Sequence, residues 1–145
     1  MIDTKHIQYR EQVFSQKEGN VVYHIAVDRL RNKIKKQPTE MLEIIPDVAK
    51  RLLNSAGVEE HRLARVVNII KTDPHYERNL KPLLICWFKG DRWCLVDGNH
   101  TYVAAYMCGL RTFPALVAKR QQWTGFRVSN HEEPDFKGFS GIHLG

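Results

Sequence analysis

Residues 95–110 read LVDGNHTYVAAYMCGL, and the break at Asp97-Gly98 decides how the chain around it is organised. Before the break, residues 92–96 have strand character. After it, residues 99–108 carry a helical pattern that Gly109 stops, because glycine accepts the left-handed conformation that commonly follows a helix. Residues 113–118 return as an apolar strand, in which Pro114 predicts an exposed edge or an irregular start. Upstream, residues 82–88 form the other arm of a hairpin turning at Lys89-Gly90-Asp91. A three-residue turn sets Phe88 opposite Arg92, Trp87 opposite Trp93 and Cys86 opposite Cys94, with tryptophans on one face of the sheet and thiols on the other.

Strand, Asp-Gly loop, helix and strand make a βαβ-like unit whose loop lies at the carboxyl end of a strand. Open sheets of this kind gather ligands there, because the free amides of a helix N-terminus point outward. Gly98 lets the backbone turn sharply and approach a ligand, and the amides of residues 99–102 with the positive end of the helix dipole suit a phosphate. Asp97 is placed to cap the helix or to face a magnesium ion carried by a nucleotide. His100 is placed to bond a phosphate or to shuttle a proton. The same residues also make an ordinary turn, cap and exposed first helical turn.

Further out, residues 21–27 (VVYHIAV) fit a buried strand. Residues 39–56 read as helical, with Pro46-Asp47 opening a fresh first turn. Residues 58–71 hold the clearest helical signal: Leu63, Val66, Val67 and Ile70 share one face, Glu59 and Glu60 lie at the start, and Asp73-Pro74 ends it. Residues 1–19 decide nothing. Residues 121–145 mix four glycines with Trp123, Phe126, Phe136 and Phe139, which predicts an irregular tail suited to contact between copies of the chain. The expected organisation is an arm (1–19), one α+β domain (20–120) and a tail (121–145).

The 145 residues suffice for one domain with a real core, and the longest purely apolar run, residues 83–88, is strand-sized rather than membrane-sized. No apolar leader is visible at the N-terminus, so a cytoplasmic protein is expected. Three cysteines without a CxxC pair argue against a disulfide framework and for buried thiols. The net charge of +6 favours polyanionic partners. Arg29, Arg31, Lys33, Lys35 and Lys36 crowd into eight residues, 29–36, that hold no acidic side chain, as either a solvated face or a stripe tracking nucleic-acid phosphates.

Asp97, Gly98, His100, Ala104 and Gly109, followed by Thr112-Phe113-Pro114-Ala115, resemble the signature of the ParB/sulfiredoxin-like superfamily, and the order of elements is similar over residues 22–119. That resemblance implies a small mixed sheet with packed helices and a strand–loop–helix ligand site that takes ATP or CTP with magnesium. Members include a CTP-hydrolysing DNA clamp, ATP-dependent sulfinic acid reductases, free serine kinases and proposed nucleases; small stand-alone forms are typical of prokaryotes and their viruses. On it, Asp97 and His100 are the catalytic candidates, Asp97 the metal contact, and Gly98, Asn99, His100 and Thr101 the phosphate cradle. Asn99 replaces the reactive cysteine of sulfiredoxins, which argues against sulfinic acid reduction, and the chain lacks room for the helix-turn-helix domain of partition proteins. The loop is most similar to that of the serine kinases.

Thr101 stands where the family carries an arginine, so either another cation supplies that charge or nucleotide binding has been lost. Arg92, Lys71, Arg65 and Arg111 are the candidates by position in sequence. For a catalytic base the corresponding region offers Glu40 and Glu43 without a clear register. Three readings follow: a nucleotide-dependent phosphotransferase or hydrolase; a nucleic-acid-binding or nuclease-like module using residues 29–36; and a non-catalytic interaction module.

Overall fold

The computed structural model describes residues 13–18, 21–55, 57–90, 92–124 and 127–128. Its centre is a four-stranded mixed sheet. In chain order it contains β3 (Glu40–Glu43), β4 (Leu83–Lys89), β5 (Arg92–Asp97) and β6 (Thr112–Ala118), arranged β3-β6-β4-β5. β4 pairs parallel with β6, while β3–β6 and β4–β5 are antiparallel. A second sheet joins β1 (Val13–Glu18), β2 (Val21–Ala26) and β7 (Arg127–Val128). The described residues also form six helices: α1 (Val27–Ile34), α2 (Pro46–Leu53), α3 (Glu60–Thr72), α4 (Tyr76–Asn79), α5 (Asn99–Met107) and α6 (Arg120–Thr124). The class is α+β, as the sequence predicts.

Alternation along the central strands builds two cores. Leu83 and Ile85 of β4, Leu95 of β5, and Phe113 and Ala115 of β6 face α2, α3 and α5, where they meet Val48, Leu52, Leu63, Ile70 and Val103. Leu84, Cys86 and Phe88, with Cys94, Val96, Leu116 and Ala118, face the other way onto Ile25, α1 and Trp123. A strand buried on both faces reads as a continuous apolar run, which is what residues 83–88 are. The opposed pairs Trp87–Trp93 and Cys86–Cys94 form as the sequence predicts. A register shift after Trp87 sets Lys89, not Phe88, against Arg92. Burial pushes the Cys94 thiol up to about 12 and that of Cys86, beside it, well above the ordinary value, so both stay protonated and inert.

Several expectations are corrected by tertiary structure. Residues 40–43 are a strand, not a helix: they pair with residues 112–115 at the sheet edge, and the helix begins only at Pro46. The basic run, to which the sequence assigned no secondary structure, is helical as far as Ile34, because Val27, Leu30 and Ile34 fall on one buried stripe. β5 and β6 are not parallel neighbours. The parallel pair is β4 and β6, with the hairpin return and α5 forming the crossover. Pro114 is not on an edge strand; pairing with β4 starts one residue later, at Ala115, so the missing amide disturbs nothing there. The arm contains β1 and the start of the tail contains α6 and β7, while the remaining tail aromatics, Phe126, Phe136 and Phe139, lie outside the described residues. Among the described residues no helix is long and apolar enough to cross a membrane.

The C-terminus of α5 ends at Gly109, with φ +75°. Its amide bonds Tyr106 O and that of Leu110 bonds Ala105 O, the paired bonds of a glycine-stopped helix. α5 is locked to the sheet edge by Tyr102, whose fully buried hydroxyl accepts the Ile45 amide (2.8 Å) and donates to Glu43 O (3.2 Å). Tyr102→Phe leaves both backbone groups without that partner. We expect it to lower the unfolding free energy by about 1–3 kcal/mol in urea titrations while retaining the native circular dichroism spectrum.

Candidate functional site

Where β5 ends, the backbone must leave the sheet and enter α5 within one residue. Gly98 does this at φ +109° and ψ 27°, and a Cβ there would sit 2.7 Å from the Leu83 side chain. The residue is therefore glycine for two reasons, a strained φ and a close approach to β4. Gly98 caps α5 through its carbonyl, which accepts the Tyr102 amide at 2.8 Å. No side chain caps this helix, so Asp97 is not its cap. The first-turn amides are left to the space in front of them, where the helix dipole favours an anion.

That space is a cleft of about 530 Å³, within the range of small-ligand sites. Asp97, Gly98, Asn99, His100 and Thr101 form one wall. Asp28 and Arg31 come from α1, Arg62, Arg65 and Val66 from α3, and Lys81 and Pro82 from the approach to β4; Gly57 closes the side near Asn99. Four cations face two carboxylates, so the field in the cleft is positive.

Arg31 is the centre of this arrangement. Its Nη2 donates to Asp97 Oδ2 at 2.8 Å and its Nη1 to Pro82 O at 2.7 Å, joining α1 to the end of β5 and the start of β4. The arginine side chain is 12 % exposed, and its Nε is buried with no acceptor. Sequence reasoning placed Arg31 in a surface stripe with Arg29, Lys33, Lys35 and Lys36. The helix divides them: Lys33, Lys35 and Lys36 are exposed, while Arg31 lies beside the buried stripe of Val27 and Ile34 and turns inward. Asp28, one helical turn before it, reaches the same cleft. The signal that finds both is the helical spacing of Val27, Leu30 and Ile34.

Of the cations expected to compensate for Thr101, only Arg65 lines the cleft. Arg92 starts the strand that Asp97 ends, roughly 17 Å away at strand rise. Lys71 lies six residues beyond Arg65, roughly 9 Å further along α3. Arg111 is exposed on the approach to β6, where its carbonyl accepts the Ile44 amide. Glu40 and Glu43 sit on β3, at the sheet edge opposite β5, and neither reaches the cleft.

His100 has a defined role in holding the cleft together. The backbone amide of Glu59, the cap residue of α3, donates to its Nε2 at 2.9 Å. An amide can only donate, so the neutral ring carries its proton on Nδ1. Partial burial, with Arg62 nearby, holds the imidazole below its ordinary value, against the opposing pull of Glu59 and Asp97. The ring is thus a neutral strut between the starts of α3 and α5, with Nδ1–H as its remaining donor. A shuttle through Nε2 would first have to give up the α3 contact.

No described group of three or more His, Cys, Asp or Glu side chains is arranged to hold a metal ion by itself. No family, curated protein or solved structure matches the chain.

Gly98→Ala should lower stability by about 1–3 kcal/mol in urea titration, through strain at φ and contact with Leu83. His100 adds a pH dependence. Its folded value lies below the unfolded 6.5, so the unfolded chain binds the proton more readily. Its stabilising effect is complete above the unfolded value and declines as pH falls through the folded one. Melting temperatures taken between about pH 7.5 and pH 5 should show wild type losing its advantage over His100→Asn as the solution is acidified.

Proposed function

We propose that the cleft binds the phosphates of a nucleotide, ATP or CTP, and that the domain is of ParB/sulfiredoxin-like kind, a nucleotide-dependent phosphotransferase or hydrolase. The observation that carries this reading is the convergence of Arg31 on the Asp97-Gly98 loop. Thr101 brings no charge to the first turn of α5, but a guanidinium from α1 arrives at the same loop, with Arg62, Arg65 and Lys81 around it. Arginine presents several donors in a fixed plane, which suits a phosphate better than a point charge does. The free amides of α5 supply further donors on the same side.

Asp97 and Asp28 suit magnesium in the manner usual for nucleotide sites, where one or two carboxylates share the ion with phosphates and water. A bound magnesium ion would neutralise phosphate charge. The chain's own contribution is to orient the phosphates through Arg31 and the α5 amides, and to offer His100 Nδ1–H as a neutral donor. Asp97 Oδ2 already accepts from Arg31 at 2.8 Å, so an ion or a substrate hydroxyl on Asp97 would share the carboxylate with that guanidinium.

A nucleic-acid-binding role is favoured by one observation only, the exposure of Lys33, Lys35 and Lys36 around the end of α1. It predicts a steep salt dependence carried by those lysines and not by Arg31.

Thermal shift with ATP and CTP, with and without magnesium, tests the main reading. At about millimolar nucleotide the melting temperature should rise. Arg31→Ala and Asp97→Ala should abolish most of the shift, with Arg31→Ala weakening affinity roughly tenfold or more. No shift with either nucleotide at that concentration defeats the proposal.

A further inference from the structure

We infer that the cleft recognises a polyphosphate chain and is indifferent to the base attached to it, so that inorganic tripolyphosphate serves as well as a nucleoside triphosphate. This rests on the phosphate-binding reading above and adds the class of ligand selected.

The lining carries the inference. Among the described residues only Val66 and Pro82 give the cleft apolar side chains, and no phenylalanine, tyrosine or tryptophan lines it. Small-molecule sites are ordinarily walled by apolar and aromatic side chains, with a few polar groups to fix orientation. Here the proportion is reversed. A base stacked on an aromatic ring typically gains roughly five- to 150-fold in affinity, and the one aromatic ring among these residues, the His100 imidazole, is already engaged by the Glu59 amide. The nearby aromatic side chain, Tyr102, is fully buried and has its hydroxyl committed to Ile45 and Glu43.

Nor is there a set of groups to read a base edge. Asn99 is the one side-chain amide in the described lining, and an amide offers both a donor and an acceptor, so it can serve any base. Arg62 and Arg65 bring their charge to the same cleft, where phosphate oxygens take a guanidinium ahead of an uncharged base. Donors for oxyanions, in contrast, come from α1, α3, the approach to β4 and the start of α5. Arg31 also keeps a buried Nε without an acceptor, the kind of deficit that a ligand rich in charged oxygens relieves. Recognition therefore lies in the phosphates.

Calorimetric titration of the full chain with tripolyphosphate, ATP, CTP, GTP, UTP and adenosine, at matched ionic strength, tests this. Tripolyphosphate and the four nucleotides should bind within about threefold of one another, adenosine should not bind, and Arg65→Ala should weaken all five phosphate ligands by a similar factor. One nucleotide at least about tenfold tighter than the other three, or tripolyphosphate about tenfold weaker than ATP, would overturn base indifference and leave phosphate binding standing. Equal binding to Arg65→Ala would place the phosphates outside the cleft and overturn the inference. No binding by any phosphate ligand would overturn both readings.

Discussion

The parallel pairing of β6 with β4 is the constraint from which the neighbourhood of the cleft follows. Two parallel strands cannot be joined by a tight turn, so the chain between them has to return and cross over. β5 makes the return as an antiparallel edge, and α5 makes the crossing. Both junctions fall at the same end of the sheet, because Asp97 is registered against Leu84 and Ala115 against Leu83. Gly98 is where the direction changes. Its closeness to Leu83 leaves no room for a side chain, and its left-handed φ turns the chain from β5 into the start of α5. The loop is therefore a product of strand order before it is a product of its own residues.

The two cores make separate demands on the sequence, and α1 answers to both. Its apolar stripe belongs to the core shared with β2 and α6, yet Arg31 leans around the sheet end to the loop on which α5 begins. A partly buried ion pair of this sort is a weak source of net stability, because desolvation offsets most of the attraction. What it provides is position. The second bond, to Pro82 O, uses a carbonyl at the start of β4 and fixes the guanidinium from a second direction.

Much of the local structure was readable from the residues. The hairpin, the opposed tryptophans and thiols, the helix from Glu60, the glycine stop at Gly109 and the loop at Asp97-Gly98 are all encoded over short distances, in periodicity and turn chemistry. What was not readable depended on partners distant in sequence. Residues 40–43 are extended because residues 112–115 offer a free sheet edge, and no local pattern announces that. α1 was hidden by its charges: three buried positions in eight residues are a thin signal against so many cations. The identity of the cation at the loop was beyond local reading for the same reason, since Arg31 and Asp97 are 66 residues apart. His100 was legible as part of the loop that lines the cleft but not as a strut, because its partner is a backbone amide at another helix's cap.

The positive charge around the cleft is distributed over α1, α3 and the approach to β4. No stretch of chain cut from the loop would contain the site, for the charges that define it exist near one another only when both cores are formed. Occupancy of the cleft by an anion would therefore be linked to folding. An anion seated among these groups would act as a keystone, adding to the bridge that Arg31 makes between the first helix and the central sheet.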